Sequence, residues 1–136
     1  MNAETRLKEL EKNYTELKEK IDFLEFRIDL IASTTNVNKI LYEYNVNRSQ
    51  YNEIMDLMDE VRNELDKHKT YNHVTFEQRM KRIFPAKDDP CHDYHFAEEI
   101  ALAFLEDGRW EEVFPALYSD VPKFKYFLKN MKNGGK

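Results

Sequence analysis

Cysteine is almost missing from this sequence, and the lone Cys91 cannot close a disulfide within the chain. That favours a reducing compartment and a fold held together by its core alone. Glycine and proline are scarce as well, at three and four residues in 136. With so few glycines there is no loop to cradle a phosphate, and with so few prolines no extended linker. No apolar run approaches the ~20 residues that a membrane-spanning helix needs, and the N-terminus lacks the apolar centre of a signal peptide. The expectation is a cytoplasmic protein without a membrane partner. Period-two alternation of useful length is absent too, which removes the signal for a sheet. What is present is 35% charged and 13% aromatic residues in a chain long enough for one core. The class expected is all-α, with long helices whose outer faces are wet.

The N-terminal segment carries the clearest pattern. Leu7, Tyr14, Ile21 and Ile28 fall at position a of a heptad, and Leu10, Leu17, Leu24 and Ile31 at position d. The spacing runs 3-4-3-4-3-4-3 without a slip, as in a coiled coil. Arg6, Asn13, Lys20 and Arg27 occupy g, while Glu11, Lys18, Glu25 and Ala32 occupy e. A parallel pair sets Arg6 against Glu11 and Lys20 against Glu25; an antiparallel pair sets g against g, mostly basic against basic. The partner expected is therefore a second copy in parallel register, with isoleucine at a and leucine at d favouring a dimer and Tyr14 leaving a trimer open. Phe23 and Phe26 add apolar character on other sides. The reading is a projecting stem to about residue 20, followed by a buried segment over 21–32.

Residues 37–132 read as a helical body of about five or six short helices, with 133–136 as a disordered tail. Ser33 to Asn36 end the first helix, and a short helix follows from Val37 to Tyr44. Asn47 with Gln50 looks like a capping box, opening a helix with Tyr51, Ile54, Met55, Met58, Val61 and Leu65 inward. The two methionines are adaptable core filler. Thr75 with Gln78 suggests another box for a helix that Pro85 stops. A helix from about Tyr94 to Asp107 closes at Gly108. Trp110, Val113, Phe114 and Leu117 continue as a short helix, and Pro122 opens the last one.

The segments IDFLEFRIDLI, YNEIMDLMDEVRNEL, VTFEQRMKRIF and LAFLEDGRWEEVF occur in that order over roughly residues 20 to 118. In order and spacing they resemble the small bacillar proteins typified by YhaI. That resemblance implies an all-helical, oligomerising protein of bacterial or phage origin. It brings no catalytic residue with it. The longer heptad stem and the basic last helix depart from the family's pattern.

Two polar clusters are candidates for chemistry. In DDPCHDYHFAEE, residues 88–99, His92, His95 and Glu99 share one face if helical, a sensible divalent-metal set. Against this, recognised metal spacings are missing, and acids at a helix start need no metal to explain them. A solvated helix start beside a core stripe of Phe96, Ile100, Ala103 and Phe104 is the preferred reading. Cys91 next to His92 lacks any oxyanion site and is not taken as a nucleophile. Glu98/Glu99 and Glu111/Glu112 read as solvated faces. No cofactor is called for.

The second cluster is basic. The chain holds 26 acidic against 21 basic residues, net −5, which disfavours a general nucleic-acid binder. Yet Lys123, Lys125, Lys129, Lys132 and Lys136 crowd the end, and Lys125, Lys129 and Lys132 share a helix face as a candidate polyanion contact. Complementing the helix dipole and keeping the chain dissolved is the preferred role for them. The expectation is a non-enzymatic protein that associates with itself and with an unidentified protein partner.

Overall fold

A computed structural model describes residues 2–67, 71–85 and 93–134. Among these residues the chain forms seven helices and no strand: α1 Ala3–Ala32, α2 Asn36–Glu43, α3 Arg48–Asp66, α4 His73–Ile83, α5 Asp93–Glu106, α6 Val113–Tyr118 and α7 Pro122–Gly134. The all-α class expected from the pattern is what the chain adopts.

Local chemistry sets most of the starts. Asn2 caps α1 by accepting from the Thr5 amide at 2.8 Å. Asn47 and Gln50 exchange both bonds of a capping box at α3, as their spacing predicts. At α4 the expectation was one turn late. Asn72, in extended backbone, accepts from the Thr75 amide at 2.8 Å, so the helix opens at His73 and Thr75 lies inside it. Pro122 begins α7, where its missing N–H costs nothing.

The core gathers on α5, which packs against α4, α2 and α6. Its buried side is Phe96, Ala97, Ile100, Ala101, Ala103 and Phe104. The three alanines let the neighbouring helices come close, and the two phenylalanines fill the space between them. Phe96 meets the rings of Tyr44 and Phe84 at 4.9 and 4.6 Å, tying α5 to α2 and the end of α4. Leu41, Val46, Ile54, Met58, Val61, Phe76, Met80, Phe114 and Tyr118 complete the interior. Of the two α3 methionines expected as core filler, Met58 is buried, whereas Met55 is half-buried at the edge of the core, with the Arg109 guanidinium against its sulfur.

The turn between α5 and α6 uses left-handed backbone twice. Gly108 has φ 75°, which glycine adopts freely. Trp110 has φ 47°, which costs an L-residue about 1–2 kcal/mol. Two contacts hold it there: its indole N–H donates to Asp59 Oδ1 at 3.1 Å, and its ring meets Phe104 edge-on at 4.9 Å. Trp110 therefore precedes α6 instead of belonging to it. Of the expected tail, Asn133 and Gly134 continue α7, while 135 and 136 lie outside the described residues.

Candidate self-association interface

α1 meets the body along one flank only. Phe26 and Leu30 are buried and Phe23 is half-buried, at positions f, c and c of the heptad. Phe26 lies 5.6 Å from the Tyr51 ring, under the Arg48 guanidinium at 5.1 Å. Arg48 also reaches Asp22 at 3.3 Å and Asp29 at 3.7 Å, pinning the start of α3 to α1. On the other edge of the contact Arg27 stacks 3.8 Å above the Tyr42 ring. It donates there to the Tyr42 carbonyl at 3.2 Å and to Asn45 Oδ1 at 2.7 Å.

The a and d residues point elsewhere. Leu7, Leu10, Tyr14, Leu17, Ile21, Leu24, Ile28 and Ile31 are all 55 to 67% exposed. The expected burial of 21–32 is thus half wrong: the f and c residues enter the core, while Ile21, Leu24, Ile28 and Ile31 stay in solvent. The reason is angular. At about 100° per residue, positions c and f lie on nearly the opposite side of a helix from a and d, so one layer of neighbours cannot cover both. The uncovered ladder spans 24 residue steps, about 36 Å of helix. Single folded chains rarely leave an apolar stripe of that extent in water.

The charged flanks are compatible with a partner on this face. Of the g residues, Arg27 alone is turned back onto its own body. A parallel partner would face it with Ala32, just as Asn13 would meet Lys18, so neither of these two g residues gives up an interchain ion pair. Arg6, Glu11, Lys20 and Glu25 stand exposed beside the ladder.

The other sequence-based candidates fare differently. His92 and Cys91 lie outside the described residues. His95 is half-buried on α5, and Glu99 hydrogen-bonds the Tyr44 hydroxyl, which burial and that carboxylate together push up to about 12. Among the described residues no group of three or more His, Cys, Asp or Glu could hold a metal ion. Besides Glu99, two more of the carboxylates read as solvated are engaged. Glu98 is buried and accepts from Lys123 Nζ at 2.7 Å, and Glu112 pairs with Arg62, which holds its carboxyl below the usual range. Lys125 and Lys129 are exposed on α7, and Lys132 follows one turn later on the same helix.

Sequence reading missed Asp107. Its Oδ1 accepts from the Asn36 amide at 3.0 Å and its Oδ2 from the Val37 amide at 2.9 Å, capping α2 from the far end of α5. An acid just before Gly108 was the only local signal, and nothing in the sequence pairs it with residue 36.

No helix of the described residues is long and apolar enough to cross a membrane. No protein-family model, curated protein or solved structure matches the chain.

Proposed function

We propose that this is a non-enzymatic, self-associating protein whose α1 ladder zips in parallel to a second copy, holding two helical bodies outward for a protein partner. The observation that carries the reading is the ladder itself: eight consecutive a and d residues exposed along α1 while its opposite flank is docked. Covering a half-exposed leucine or isoleucine is worth roughly 1 kcal/mol or more, and each chain offers seven such positions besides Tyr14. The exposed ion pairs add only ~0.2–1 kcal/mol each. Apolar burial therefore supplies affinity, and the g and e charges select direction. Isoleucine at a with leucine at d favours two strands over three.

Because the docked flank faces away from the ladder, a dimer forms without displacing the body from α1. The single cysteine supports a cytoplasmic setting. The order and spacing of the helical segments support kinship with the small bacillar proteins typified by YhaI, and with it a bacterial or phage origin.

Light scattering on the full chain tests this. The expected mass is twice 16.4 kDa at tens of micromolar. The variant carrying Leu10→Glu, Leu17→Glu and Leu24→Glu is expected to run as a monomer that keeps its folded body. A wild-type chain that stays at 16.4 kDa throughout would end the proposal.

A further inference from the structure

Complementing the helix dipole accounts for Lys132 near the end of α7, but the placement of the first two lysines argues otherwise. Lys123 and Lys125 stand in the first turn, at the positive end of the dipole, where a cation is disfavoured. α7 has no acid in that turn to offset them. Lys123 finds an outside carboxylate in Glu98 on α5. Lys125 is exposed on the far side from that contact, with Lys129 one turn on. Residues 121–136 hold five lysines and no acid, whereas residues 1–120 hold 16 basic against 26 acidic residues. Most basic residues are balanced by acids elsewhere, and the C-terminal segment that contains α7 is where positive charge stands in net excess.

The aromatic residues on α7 divide between two roles. Phe124 packs edge-on against Phe114 at 5.0 Å and against Tyr118 at 5.5 Å, anchoring the helix, and Leu128 adds to that contact. Tyr126, between Lys125 and Lys129 in sequence, is 74% exposed, more than any residue of the α1 ladder. Phe127 is also exposed. A solvent-facing tyrosine flanked by lysines offers a ring for a base and cations for phosphates.

We infer that the Lys125–Tyr126–Lys129 face of α7 binds single-stranded nucleic acid by its backbone, with Tyr126 as a stacking platform. An anionic membrane fits less well, because insertion needs the helix's apolar side, and Phe124 and Leu128 are committed to the body. The absence of arginine from α7 defines the mode further. Lysine neutralises a phosphate as a point charge and lacks the fork that reads guanine, so binding is tolerant of sequence. Two or three phosphates per helix make it weak and salt-sensitive. This inference does not depend on self-association.

Fluorescence anisotropy with a labelled 20-mer of oligo-dT or oligo-rU is the test. Binding is expected at low salt, with a log–log salt slope between about −1 and −2. The variant with Lys125→Glu and Lys129→Glu is expected to bind at least about tenfold more weakly. Tyr126→Ala should weaken the oligonucleotide by about fivefold or more while leaving the salt slope unchanged. All three positions are exposed, and thermal melts of the variants confirm that they fold. No binding by the wild type at low salt overturns the inference, as does equal binding by either variant. Tighter binding to phosphatidylserine vesicles or to polyglutamate than to the oligonucleotide overturns it as well.

Discussion

Glu77 on α4 and Glu98 on α5 both turn inward, and the partner each finds differs in charge. Glu98 meets the Lys123 ammonium at 2.7 Å, whereas Glu77 accepts from the neutral Tyr118 hydroxyl at 3.1 Å. Burial raises the Glu77 carboxyl above its ordinary range, and the tyrosine hydrogen bond offsets only part of that rise. Burial, with Glu77 and Glu98 nearby, also pushes the Tyr118 hydroxyl up, so it remains a neutral donor around neutral pH. The sign of the linkage follows. A folded state that holds the Glu77 proton more tightly than the unfolded chain loses stability as pH rises through that raised value. Glu77→Gln removes the ionisable group while keeping an acceptor for Tyr118. The variant is expected to melt higher than wild type near pH 8, with the gap closing as pH falls toward about 4.3. Melts across that interval check it; a gap that is constant with pH would show that ionisation is not the cause. Tyr118→Phe tests the same bond from the other side. It leaves a partly buried carboxylate without its donor and should cost about 1–2 kcal/mol at neutral pH, read from denaturant midpoints.

Elements were legible where their signals were local. The heptad of α1, the Asn47–Gln50 box of α3 and the glycine after α5 each lie within a few residues of the boundary they set. Errors arose where a boundary depended on choosing among neighbouring polar residues, as with Asn72 against Thr75 at α4. They arose again where contacts from distant sequence decided. Trp110 is held in left-handed backbone by Asp59 on α3, and the segment around it consequently cannot be helix. The burial of Glu98 follows from a lysine on α7. α2 shows the same dependence in its most testable form. It is eight residues long, too short to persist alone, and its first two amides are bound by Asp107. The negative carboxylate also sits at the positive end of the α2 dipole. Asp107→Ala should therefore cost about 1–2 kcal/mol in global unfolding. Amides in the first turns of α2 should exchange faster. Because Tyr42 on α2 carries the Arg27 stack, protection in the second half of α1 should fall with them. Unchanged exchange in both helices would show that packing and the Thr35 N-cap, which accepts from the Asn38 amide, hold α2 without Asp107.

At the scale of the whole molecule, α1 is shared between two surfaces, and the heptad register assigns each residue to one of them. From residue 23 on, positions c and f belong to the chain's own body, and along the whole helix a and d are left for something else. The sequence displayed the ladder plainly, but not that the body would leave it uncovered to its end, because that depends on which flank the short helices choose. Phe23, Phe26 and Leu30 make the choice, and Arg27 and Arg48 close its two edges. Direction is the remaining property of the pairing, and a cysteine placed in the ladder reads it. With Cys91→Ser removing the native thiol, Leu10→Cys puts a sulfur at a d position. In a parallel, in-register pair two such residues face each other at a Cα separation near the ~5.5–6 Å that a disulfide prefers. Mild oxidation is then expected to give a covalent dimer in high yield, and Leu24→Cys should behave alike. An antiparallel pair instead sets residue 10 opposite the far end of α1. Neither single variant would then crosslink to itself, while a mixture of Leu10→Cys with Ile28→Cys would. The parallel outcome places both bodies at one end of the stem, each on the outer side of its own helix, so that a partner with two binding sites can engage both together.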